Sequence, residues 1–112
     1  MNIKQSDWNI FCEIKSQAFE QYCDQALNGV IERITDKSAS AVDRFEFMRE
    51  KTNEAQAFIM RTFDGHSRSQ AFTQLMLMCE AKLVAPEQFE RLSDEMKTQI
   101  RGIIEYRAQG FD

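Results

Sequence analysis

The chain has 112 residues, with 14 Lys and Arg against 18 Asp and Glu, one His, 43% hydrophobic side chains, four Gly and one Pro. That length suits one globular domain with a single core and no disulfide or metal staples, and so few turn-forming residues exclude a sandwich or barrel. A net charge of −4 argues against a broad basic face for nucleic acid.

From about Ser6 to Asp36, Trp8, Phe11, Cys12, Ala18, Phe19, Tyr22, Cys23, Ala26, Leu27, Val30 and Ile34 recur at three- and four-residue spacing, which predicts a long amphipathic helix. Asn28-Gly29 is a place where it could weaken or bend. Ser40, followed three residues later by Asp43, suits the N-cap of a second helix over 41–63. Its expected inner side carries Val42, Phe45, Met48, Ala55, Ile59, Met60 and Phe63, and Asp64-Gly65 is its stop signal. Ser67 with Gln70 forms a capping-box pattern for a third helix over 68–83. Phe72, Leu75, Met76, Leu77, Met78 and Cys79 make that helix apolar nearly all round, so it belongs at the centre. Pro86 suits the first position of a short helix over 86–92 carrying Phe89 and Leu92. Ser93-Asp94-Glu95 starts a last helix over 94–107 with Met96, Ile100, Ile103 and Ile104 inward.

The expected fold is therefore all-α. Residues 1–112 form one domain, a compact bundle of four main helices and one short one, with the apolar helix around 69–83 central and the end at 108–112 frayed.

Cys12, Cys23 and Cys79 show none of the spacing of a zinc site or redox pair, so free, mainly structural thiols are expected. The longest apolar run, Leu75 to Cys79, is too short for a membrane span, and Met1–Gln5 lacks the apolar core of a signal peptide. A cytoplasmic protein is the expectation. The methionines and Trp8 read as core filling.

Three constellations bear on function. On the second helix, Phe47 and Phe58 fall together away from the main stripe, beside an acidic ladder of Asp43, Glu46, Glu50 and Glu54. Two aromatics with a charged rim resemble an interface, and Phe47, Phe58, Glu46, Glu50 and Glu54 are the candidate contact residues. The plainer reading buries the rings within the chain and pairs the acids with Arg44 and Arg61. The second constellation is the turn at 64–69, where His66, Ser67, Arg68 and Ser69 stand at a helix start, suited to an anion or small metabolite. Capping by Ser67 and ion pairing by Arg68 are its plainer explanations, and a triad of Asp64, His66 and Ser67 is not expected from residues so close in sequence.

The third is Leu75 to Met96, which has the outline of a helix-turn-helix. Its second helix would present Glu87, Gln88, Glu90 and Arg91, too acidic a set to approach phosphates, so nucleic acid is not expected. No cofactor and no metal are expected either, since the single His stands in a loop and bundle metal sites need Glu-x-x-His on paired helices. The sequence leads to an interaction or regulatory module, acting on a protein partner or a second copy of itself rather than as an enzyme. Anion binding at 64–69 is the alternative.

Overall fold

The computed structural model describes residues 3–110. Five helices follow one another, α1 (Gln5–Ile34), α2 (Ala41–Thr62), α3 (Arg68–Glu80), α4 (Pro86–Glu90) and α5 (Asp94–Ala108), with no strand among the described residues. The chain is an all-α bundle, and α1 runs unbroken through Asn28-Gly29. Phe111 and Asp112 of the expected frayed end lie outside the described residues; helical structure continues through Ala108, and Gly110 then takes φ +94°.

Two of the expected caps form as sidechain hydrogen bonds. The Asp43 N–H donates to Ser40 Oγ at 3.0 Å and the Met96 N–H to Ser93 Oγ at 3.2 Å. The capping box at α3 does not form. Ser67 is the N-cap, but its hydroxyl donates to Gln70 Oε1 at 3.1 Å instead of accepting from the backbone. That helix also ends three residues earlier than its apolar pattern implies, because Lys82 adopts φ 61° and turns the chain.

The core gathers at one end of the molecule. Phe11, Ile14 and Ala18 of α1, Phe63 after α2, Ala71, Leu75 and Met78 of α3, and Met96 and Ile100 of α5 are all buried together. α3 touches α1, α2 and α5 and is the central helix. The segment carrying α4 is tied to the first half of α1, where Gln88 donates to Gln17 at 2.7 Å and Arg91 to Glu13 at 2.7 Å. Gln88 is buried there, whereas Glu87, Glu90 and Arg91 of the same segment are exposed.

The other end is built differently. No residue from Phe19 to Arg61 is buried. A 30-residue helix is about 45 Å long, and α1 and α2 run past the core as a two-helix hairpin, giving extents of 52 × 30 × 24 Å. The radius of gyration is 16.8 Å, against about 13 Å for a compact chain of this size. The bundle is thus elongated rather than compact.

Candidate functional site

The hairpin reverses part of the expected pattern on α2. Arg44, Phe47, Met48, Ala55, Phe58 and Ile59 are half-buried, whereas Val42, Phe45 and Met60, expected inside, are exposed. Phe58 stacks on Tyr22 of α1 with centroids 4.3 Å apart and reaches Phe63 at 6.0 Å. Phe47 lies under the Arg33 guanidinium, 4.8 Å from the ring centroid, and under Lys51 at 5.6 Å. The two rings expected to form an outer contact surface are therefore engaged within the chain. The physical reason is rotational: Phe47 and Phe58, eleven residues apart, share one line on a helix, as do Arg44, Met48, Ala55 and Ile59 beside it, and that combined face is the one α1 covers.

The acidic residues beside them are exposed. Glu46 pairs with Arg49 and Glu54 with Lys51 at 3.2 Å, so the partners come from the same helix rather than from Arg44 and Arg61. Arg44 donates to the Ile34 carbonyl at 2.8 Å and closes the hairpin's far end, while Arg61 lies over the Phe58 ring. Glu50 is exposed on the same side.

Part of what the hairpin leaves open is apolar. Leu27 is 61% exposed, Ile31 51%, Val42 70% and Phe45 59%. On α1, Phe19, Cys23, Leu27 and Ile31 are four residues apart and form one ridge; on α2, Val42, Phe45, Arg49, Thr52, Gln56 and Met60 share a side. Each ridge is displaced in the same rotational sense from its helix's inward row, and because the helices run antiparallel both ridges lie on one face of the hairpin. The Arg33–Phe47 and Tyr22–Phe58 contacts mark the opposite face.

The turn after α2 is the second place where functional side chains meet. Gly65 has φ +78°, a conformation that costs other L-residues energy. The Gln74 amide, from buried α3, donates to the carbonyls of Asp64 at 2.7 Å and Gly65 at 3.2 Å, and Lys15 Nζ donates to the Gly65 carbonyl at 2.6 Å. So fixed, the turn lays His66 against α1. The imidazole packs beside Trp8 at 4.9 Å and Phe11 at 6.0 Å, Lys15 Nζ reaches Nδ1 at 3.2 Å, and Cys12 Sγ lies 3.7 Å from Nε2. Burial pushes the Lys15 ammonium below its usual range, with Cys12 and Asp64 opposing that shift. Arg68 stands over the Trp8 ring at 5.3 Å and donates to Gln5 Oε1.

The four residues expected to converge on an anion divide instead. His66 and Arg68 turn onto α1, while the Ser67 and Ser69 hydroxyls lie 3.1 Å apart and engage each other and Gln70. Cys12 and Lys15, the partners His66 acquires, carry no local sign of that role in the sequence, since fifty-odd residues separate them from it. Among the described residues no group of three His, Cys, Asp or Glu side chains is placed to hold a metal ion, and no helix is long and apolar enough to cross a membrane.

Comparison with protein-family models, curated proteins and solved structures finds no match to this chain.

Proposed function

We propose that the protein works by association, forming a homodimer through the apolar face of the α1–α2 hairpin. The observation that carries this reading is the run from Phe19 to Arg61, which contains no buried residue and yet places Leu27, Ile31, Val42 and Phe45 side by side in solvent. An amphipathic helix pair is stabilised mainly by burying its apolar stripe against a further layer, and here the chain itself supplies none. A second hairpin would complete a four-helix arrangement. Arg49, the charge within the α2 ridge, is already paired with Glu46, so covering the face need not leave that cation without its counter-charge. Three unbridged thiols fit the reducing interior of a cell, and a cytoplasmic site of action belongs to the same proposal.

The test is solution mass by light scattering on the wild type and on Leu27→Ser/Phe45→Ser. The expected result is a dimer that becomes a folded monomer in the double variant. A wild-type monomer at high micromolar concentration overturns self-association and leaves the face to a different protein. Phe47→Ser serves as the control, since it removes a contact inside the chain and acts on the melting temperature rather than on mass.

A further inference from the structure

The early end of α3 leaves a space that the next elements do not fill. α4 has only five residues, and Cys79, Val84, Phe89 and Ile104 remain half-buried around it. These side chains come from α3, the turn after it, α4 and α5, and together with fully buried Ile100 they line a cleft of about 240 Å³. The shallow depressions over 16–24 and 46–53 differ, since each follows a single helix and is lined by polar side chains. A concave, mainly apolar lining drawn from several elements, with few polar groups, is the form of a small-molecule site. Arg101 is the one charged residue that lines the cleft, and it is exposed. Its guanidinium lies over the Phe89 ring, 5.0 Å from the centroid, so the charge stands against one apolar wall.

We propose that this cleft binds a small aromatic carboxylate, with the ring among Val84, Phe89 and Ile104 and the carboxylate on Arg101. Size sets the first part of that ligand. A dry apolar cavity of about 150 Å³ takes one benzene ring, so this cleft has room for a ring and a short side arm, and the Phe89 face offers it an offset stack. Charge sets the second. A guanidinium presents a planar fork of donors that matches a carboxylate. The contact already made there is long, with Arg101 3.4 Å from Glu90, and Glu90 is also held by Lys97 at 3.3 Å. Glu90 therefore keeps a counter-charge when Arg101 engages a ligand, while its own negative charge beside Arg101 disfavours a dianion such as phosphate. Burial pushes the Cys79 thiol up to about 11, so the sulfur on the apolar side is neutral and does not repel an anion.

The probe is 3-phenylpropionate, with 3-phenylpropanamide as its uncharged counterpart, titrated at neutral pH into the intact protein and followed by amide chemical shifts in two-dimensional NMR. Saturable shifts are expected at Val84, Phe89, Arg101 and Ile104, with a dissociation constant of about 1 mM for so small a ligand. The amide is expected to bind about fivefold more weakly, and Arg101→Gln to weaken the acid by about the same factor while leaving the amide unchanged. No saturable shift at these residues up to about 10 mM acid overturns the proposal. Equal binding of acid and amide to the wild type also overturns it, as does an undiminished affinity for the acid in folded Arg101→Gln. Should that variant fail to fold by circular dichroism, the comparison of acid with amide on the wild type decides the question. All the lining residues lie within 79–104, outside the hairpin face, so none of these outcomes depends on whether the protein dimerises.

Discussion

The Asp7 carboxylate, 2% exposed, accepts the Ser93 backbone N–H at 2.8 Å and the Ser93 hydroxyl at 2.7 Å. Ser93 Oγ in turn accepts from the Met96 N–H, so the acid both orients the cap of α5 and places a negative charge at the helix's positive end. Removing it leaves the half-buried Ser93 donors without that acceptor. Asp7→Ala is expected to cost about 3 kcal/mol, or roughly 10–15 °C in Tm by circular dichroism, with Asp7→Asn between it and the wild type. A shift of less than about 2 °C in Asp7→Ala would show that the linkage contributes little. In the sequence Asp7 is only an acid near a helix start. Its partner lies 86 residues away, and no spacing rule reaches that far. The same limit hid Cys12 and Lys15 from His66: the turn was legible as a functional candidate because its residues are contiguous, whereas those contacts are made by tertiary structure.

Among the elements, the end of α3 shows where local signals mislead. Ala81 closes the helix, the Lys82 N–H donates to the Cys79 carbonyl at 3.0 Å and the Leu83 N–H to the Met78 carbonyl at 2.9 Å, a paired capping pattern that ordinarily has glycine at the left-handed position. Here that position is Lys82, with φ 61°. Burial of Leu83, the hydrophobic residue that follows in such caps, holds the turn despite the cost of a Cβ. Without glycine to mark it, the apolar pattern ran on to 83. Lys82→Gly is therefore expected to raise stability by about 1 kcal/mol, read as a higher denaturant midpoint at unchanged slope; a lower midpoint would mean that the lysine stem contributes more than the backbone loses. The stripe on α2 failed for another reason. Val42, Phe45 and Met60 are apolar and regularly spaced, and periodicity reports that a face is apolar without saying whether α1 or something outside the chain covers it.

For the molecule as a whole, the distribution of burial decides how it opens. The helices themselves and the central place of α3 were legible because periodicity, caps and scarce glycine all agree. The unequal ends were not, since the same amphipathic pattern serves a helix packed in a core and one packed on a neighbour. With every buried residue outside 19–61, the far part of the hairpin rests on pairwise contacts such as Arg33 over Phe47 and Arg44 on the Ile34 carbonyl. Its amides should open locally at lower free energy than those of α3, whose Ala71, Leu75 and Met78 are fully enclosed. Hydrogen exchange followed by mass spectrometry is expected to show faster exchange over 25–50 than over 71–79 in dilute protein. If a second copy covers Leu27, Ile31, Val42 and Phe45, protection over 25–50 rises with protein concentration, because binding to the folded hairpin alone stabilises it by mass action, while Leu27→Ser/Phe45→Ser keeps the dilute pattern at every concentration. Exchange over 25–50 as slow as over 71–79 at the lowest concentration would show that the hairpin holds itself together, and would remove the energetic case for a covering partner.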